Sequence, residues 1–345
     1  MSGVVATKSA APSGSDRVDF RNEIGFHLTH TQDDPEDDVR RRAGRVAAIT
    51  AVVLASASCS TAGAPGLAGS SGSHGVNVVA AENFWGSVAQ QLGGARVQVT
   101  SLIDNPDADP HDYEPTPADA RAVASSDLVL VNGVGYDGWA SKLVDANPNP
   151  DRPVLDVGSL VGAAAGDNPH RWYDPADVWA VAARLTALYK QLDPADSAEF
   201  DRLAQVFDSS GTAAYKAVVA EIRATYAGTA VGASESIFAM VSPALGLDLV
   251  TPPGFLKAVS EGTDPSASDK ATADQQVGGR QIKVYVYNSQ NATPDVQQQI
   301  AAANAAGIPV TTITETMVPA TATWQHWQTA QLQGLRAALA TGTGR

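Results

Sequence analysis

The sequence predicts an α/β protein built as two parallel-sheet lobes joined by one long helix, with candidate ligand side chains facing the cleft between the lobes. Three observations carry this. Short β-rich runs alternate with helical stretches twice along the chain. A long Ala-rich helical run separates the two alternations. Four metal-competent side chains each follow a strand or lie in a loop leading from one, where open α/β sheets place their ligands.

In the first alternation, 76–80 reads as an apolar strand and 83–93 as a helix with Phe84, Val88 and Leu92 on one face. A second strand spans 97–102 and a short helix 118–125. The third strand, 127–132, has the Leu and Val content of a strand buried on both faces, as in a helix-covered parallel sheet. A short fourth lies at 154–155. From Pro175 the pattern turns helical, over 177–192 and 194–226, with Gly211 as the main breaker. The second alternation runs strand 230–233, helix 237–245, strand 283–287, helix 294–306, strand 310–314 and a last helix 324–340. The polar Gly/Ser/Asp-rich stretch 254–279 reads as loop with one short helix. These runs divide the body into an N-terminal lobe 76–193, a linking helix 194–227 and a C-terminal lobe 228–345.

A chain of 345 residues holds two domains or one large one. Its 44% apolar content is ample for a core. The 23 basic residues against 37 acidic ones give a net charge of −14, which argues against nucleic acid as a partner. That balance suits a soluble protein or one whose ligand is a cation. One cysteine excludes a disulfide framework, a Cys-based zinc site and a CxxC redox pair.

Residues 1–39 are polar and aperiodic, and read as disordered or as the product of a start codon assigned too early. Arg40, Arg41, Arg42 and Arg45 then precede an apolar run of roughly 12 residues, short of the ~20 needed to span a bilayer. The stretch 40–59 has the parts of a secretory signal. Its end, Leu54-Ala55-Ser56-Ala57-Ser58-Cys59, resembles a bacterial lipoprotein cleavage box with Cys59 as the lipidated residue. Ser56 departs from the larger aliphatic residue usual there. The alternative is a buried helix with an incidental cysteine. Residues 60–75, mostly Ser, Gly and Ala, form a flexible tether.

The candidate ligands lie in four segments. His111 sits in Asp109-Pro110-His111-Asp112-Tyr113-Glu114-Pro115, where prolines restrict the backbone. His170 sits in Asn168-Pro169-His170-Arg171-Trp172-Tyr173-Asp174-Pro175, just before a helix. Glu235 ends an apolar strand and Glu315 ends the last one. Taken singly, each histidine has a plain reading as a satisfied structural residue, and each glutamate as a solvated charge or cap. His27, His30, His74 and His326 are given that plain reading.

Together, the runs 109–119, 126–139 and 168–175 resemble the metal-binding solute receptors of bacterial ABC importers, the zinc/manganese/iron cluster A-I or periplasmic zinc-uptake family. The likeness continues through Asp264-Pro265-Ser266, Tyr287-Asn288-Ser289-Gln290 and Gly307-Ile308-Pro309, covering about 76–339. It implies two α/β lobes joined by a long helix with the metal between them. It also implies that His111, His170, Glu235 and Glu315 are the ligands. Glu315 departs from the usual Asp, and the His-rich loop of many zinc-type members is missing. The family further implies export, a lipid anchor on the membrane's outer side, and a partner permease with a separate ATPase.

Two neutral imidazoles and two carboxylates cancel a divalent cation, so it can be sequestered without a large charging cost. Nitrogen and oxygen donors without sulfur fit Mn2+, Zn2+ or Fe2+. Carboxylates that bind through both oxygens allow higher coordination, which tilts the expected cargo to Mn2+ with Zn2+ next and Fe2+ behind. The chain carries no HExxH helix, nucleophile elbow or phosphate loop, and an enzyme is not expected. A monomer is expected. The alternative is a metal-buffering or adhesive surface lipoprotein uncoupled from import.

Overall fold

The computed structural model describes residues 75–345 apart from 107, 109, 112 and 292, all within one compact unit. The expectations for 1–39, for the signal 40–59 with Cys59, and for the tether up to residue 74 lie outside the described residues.

The first sheet contains β1 (Val76–Glu82), β2 (Val97–Ile103), β3 (Leu128–Val131) and β4 (Val154–Asp156), in the order β2-β1-β3-β4. The second contains β5 (Ala230–Ala233), β6 (Asp248–Leu249), β7 (Tyr285–Asn288) and β8 (Val310–Ile313), in the order β6-β5-β7-β8. Every pairing is parallel. Both sheets therefore repeat one doubly wound order, with its switch point between the first and third strands of each set.

Helices α1 (Asn83–Gly93), α2 (Pro117–Ala124), α3 (Gly138–Ala146), α4 (Val157–Val161) and α5 (Pro175–Leu192) belong to the first alternation. A Ser/Thr/Asp side chain before proline explains where several helices start. Thr116 closes a capping box with Asp119 ahead of α2, and Asp174 accepts from the Ala176 amide ahead of α5. The second set comprises α8 (Ile237–Leu245), α9 (Pro253–Ser260), α10 (Ala267–Gly278), α11 (Pro294–Ala305) and α12 (Trp324–Thr343).

Two expectations need correction. The stretch 254–279 is two helices rather than loop with one short helix. α10 is capped by Ser266, which accepts from the Asp269 amide, and it buries only Ala273 and Val277, so its pattern carries little amphipathic signal. The run 194–226 is not continuous helix. It consists of a 3-10 turn Pro194–Asp196, α6 (Ser197–Val206), a π-turn Phe207–Gly211 and α7 (Ala213–Tyr226). Ser209 Oγ donates to the Gln205 carbonyl at 2.6 Å and Thr212 Oγ1 to the Phe207 carbonyl at 2.9 Å, competing with the helix's own bonds.

One hydrophobic core runs from Val78 and Leu130 of the first sheet through Trp172 and Leu185 to Val231, Val286 and Leu335. Between the sheets it is aromatic. Phe84 stacks on Trp172 at 3.9 Å, and Trp324 Nε1 donates to the Trp172 carbonyl at 3.0 Å. α12 opens against the first lobe, its Trp324 amide bonded to Ser87 Oγ of α1, and then packs along α7 and β8. Its His326 is exposed.

Candidate metal centre

β2 passes the chain to the segment that carries His111. Trp139 Nε1 of α3 donates to the Pro110 carbonyl at 3.0 Å, and the Tyr113 ring packs on Trp139 at 4.6 Å, so both flanks of His111 are pinned. The His111 side chain is 38% exposed, and its Nε2 lies 3.5 Å from Glu315 Oε1. His170 is buried, and its Nδ1 is 2.8 Å from Asn168 Oδ1. That oxygen only accepts, so Nδ1 holds a hydrogen and fixes the ring with Nε2 turned toward Glu315. Nε2 lies 3.8 Å from the same Glu315 Oε1.

Glu235 follows β5 and is 2% exposed. Its Oε2 accepts from Asn288 Nδ2 at 3.1 Å, while its buried Oε1 receives no donor. Burial, and then the negative charge of Glu315, push this carboxyl up to about 8. Glu315 follows β8, and its Oε1 accepts from the Tyr136 hydroxyl at 3.0 Å. Burial alone would raise Glu315 too. The adjacent imidazoles of His111 and His170 outweigh it and hold the carboxyl well below the usual range. The pair thus divides its labour: Glu235 stores a proton and Glu315 stores the charge.

Donors about 2.1 Å from a tetrahedral metal stand about 3.4 Å apart. The two imidazole-to-Glu315 distances, 3.5 and 3.8 Å, are close to that spacing. Among the described residues no group of three or more His, Cys, Asp or Glu side chains stands gathered as a finished cage. The approach is pairwise, Glu315 to each imidazole, with Glu235 coupled to Glu315 and His111 through charge.

The motif reading missed the residues that hold these four in place. Tyr136 stands between the imidazoles, with ring centroids 4.8 Å from His111 and 6.2 Å from His170. It is presented by a turn after β3 in which Gly133, Val134 and Gly135 all have positive φ, of 72°, 57° and 83°. A β-branched residue there is strained. The turn is closed by Asp137, which accepts from the Asn132 and Gly133 amides at 2.6 and 2.8 Å. The Gly-x-Gly after a buried strand was the available signal for this turn. Ser236 and Asn288 gave none, because their role lies in partners distant in sequence.

Two cavities flank the pairing of His111 and Glu315. One of about 460 Å3 is lined by Tyr136, Asn168, His170, Ser236 and Leu256. The other, about 870 Å3, is lined by Pro106, His111, Gln290, Glu315 and Thr316.

The fold is a two-lobed parallel α/β one in which two imidazoles approach a single carboxylate. The chain belongs to the family described as "Zinc-uptake complex component A periplasmic", which it matches over residues 78–338. Among curated relatives, the manganese-binding lipoprotein MntA of Halalkalibacterium halodurans is 30% identical over 156 residues, 44% of this chain and 50% of that protein. The iron-binding protein YfeA of Yersinia pestis is 30% identical over 126 residues, 35% of this chain and 40% of that one. These matches span half or less of the relatives' length. The Mn-bound periplasmic metal binding protein from Candidatus Liberibacter asiaticus shares the fold, with a TM-score of 0.64 at 19% identity over 76% of this chain and 99% of that one. The protein FpvC from Pseudomonas aeruginosa, in complex with Mn2+, gives 0.60 at 18% identity over 77% and 98%. The family is one of solute-binding receptors of ABC importers rather than of enzymes, and such receptors work with a permease and an ATPase.

Proposed function

We propose that this chain is an extracytoplasmic receptor that captures a divalent transition metal through His111, His170, Glu235 and Glu315 and delivers it to an ABC permease driven by a separate ATPase. The observation that carries this is Glu235 Oε1, a buried carboxyl oxygen without a donor, close enough to Glu315 and His111 to feel their charge. A buried polar oxygen without a partner is costly, and a cation is a partner that this donor set accepts once Glu235 gives up its proton. The cargo is Mn2+ foremost, with Zn2+ next and Fe2+ behind, in keeping with relatives named for manganese and iron. The lobes are 76–193 and 228–345, and the segment 194–227 links them. The receptor acts as an exported monomer, held to the membrane by lipid on Cys59. Relatives named as lipoproteins support this anchor, and among the described residues no helix is long and apolar enough to cross a membrane.

Titration calorimetry of the purified protein with Mn2+ and Zn2+ tests the site. His170→Ala and His111→Ala should each weaken binding by more than about 100-fold, since loss of one of four ligands leaves a coordination position to water. Unchanged affinity in both variants would overturn the ligand set. Metal-limited growth of a deletion strain tests the coupling to import.

A further inference from the structure

The two histidines differ in how they are held. His170 is buried, and its loop is tied across the cleft by Asn168 Nδ2, which donates to the Ser236 carbonyl at 2.6 Å. Ser236 Oγ also lies 3.3 Å from His170 Nδ1. His111 is the more exposed ligand, on a segment without regular structure between β2 and α2. That segment has its own tie to the second lobe. Gln290 Nε2, just beyond β7, donates to the Pro106 carbonyl at 2.7 Å and to Thr316 Oγ1 at 2.6 Å. Gln290 Oε1 accepts from the Thr316 amide at 2.9 Å, and Thr316 Oγ1 donates to the Pro106 carbonyl at 3.1 Å. Both ends of one amide are thus used, and its partners are a backbone carbonyl five residues before His111 and the residue next to Glu315.

We infer that Gln290 is a positioning residue that clasps the His111 segment to the second lobe and so sets how long a bound metal stays. This rests on the ligand set proposed above and extends it to release. The clasp lies at the wall of the larger cavity, which borders His111 and Glu315. Gln290 is itself exposed, whereas the tie at His170 is partly buried. Exposed hydrogen bonds exchange with water at little net cost. The Gln290 side is therefore the side that opens. Opening it frees Pro106 on one side and Thr316, next to Glu315, on the other, so the hold on the His111–Glu315 pairing loosens without unfolding either lobe.

The chemistry of the amide supplies the test. Gln290→Ala removes all its bonds. Gln290→Glu keeps an acceptor for the Thr316 amide but turns a carboxylate oxygen toward the Pro106 carbonyl, an acceptor facing an acceptor. The full chain loaded with Zn2+ is mixed with excess chromophoric chelator, and the release rate is compared with the association rate. Release should be about fivefold to tenfold faster in Gln290→Ala and at least as fast in Gln290→Glu. Association should change less than twofold, Ser289→Ala should behave as wild type, and Thr316→Ser, which keeps the hydroxyl, should retain slow release. Release within twofold of wild type in both Gln290 variants would overturn the clasp, as would a loss of affinity carried wholly by association. Failure of the wild-type protein to bind Zn2+ or Mn2+ would overturn the ligand set instead.

Discussion

Glu235 decides two properties of the site. Its carboxyl is pushed up to about 8 in the metal-free protein, by burial first and then by Glu315. With Glu235 as a ligand, as proposed, each ion bound below that pH must expel that proton. Affinity should therefore rise by about tenfold per pH unit on account of this group until about pH 8, and then level off. Imidazole adds its own proton competition at the acid end. The same raised value acts on folding. A carboxyl that holds its proton in the folded state stabilises the metal-free protein fully below the ordinary glutamate range, and that stabilisation is lost as pH rises through about 8. The melting temperature of the metal-free protein should fall from pH 5 to pH 8, and that of the Mn2+-loaded protein should not. Calorimetry in buffers of different ionisation heat counts the released protons, and none released at pH 7 would contradict the assignment. The second property is selectivity. Glu235→His exchanges a hard oxygen for imidazole and removes one negative charge, so Mn2+ should lose more affinity than Zn2+, whose four-coordinate geometry survives. A competition titration with an unchanged Zn2+/Mn2+ ratio would place Glu235 outside the metal's ligands.

Among the local elements, the turn between β3 and α3 is the most demanding. It delivers Tyr136 to Glu315, and its glycines are not equivalent. A Cβ on Gly133, at φ 72°, would lie 2.6 Å from Asp156 Oδ1, the carboxylate that caps α4 by accepting from the Ser159 amide. Gly135, at φ 83°, faces open space. Gly133→Ala should combine backbone strain with displacement of that cap and lower the melting temperature by about 4–8 °C, for a loss of about 2 kcal/mol. Gly135→Ala should cost about 1 kcal/mol or less. The Gly133 variant should also weaken metal binding, because Tyr136 loses its approach to Glu315. Equal melting temperatures for the two variants would show that the contact with Asp156 does not govern the turn.

Across the whole molecule, the two lobes are tied by one core and by direct bonds. Tyr173 of the first lobe donates to the Thr314 carbonyl at the end of β8 at 2.6 Å, and Gln91 exchanges amide bonds with Gln325 at the start of α12. The N-terminal proposal is separable from all of this. If Cys59 carries lipid, the native protein should partition into detergent and begin at Cys59. Cys59→Ala should release it or leave the precursor uncleaved, with metal affinity unchanged. A soluble wild-type protein that keeps residues 1–58 would end the anchor proposal.

By itself the sequence determined the two parallel sheets, because buried Val/Leu runs such as 128–131 and the turn to a helical pattern at Pro175 are local patterns with local causes. It also marked the four candidate ligands, since each stands beside a strand end or a proline that the chain itself displays. It could not show α10, whose polar surface hides a two-residue contact, nor the π-turn that breaks 194–226, where side-chain hydroxyls compete with the helix. Only the tertiary structure decided what surrounds the ligands. The Tyr136 hydroxyl meets Glu315 across 179 residues, and Gln290 meets Pro106 across 184. A hydrogen bond needs its partners within about 3 Å, and no periodicity records which distant residue will arrive there. The stored proton on Glu235 has the same origin, because burial and a like charge exist only once the two carboxylates have been folded against each other.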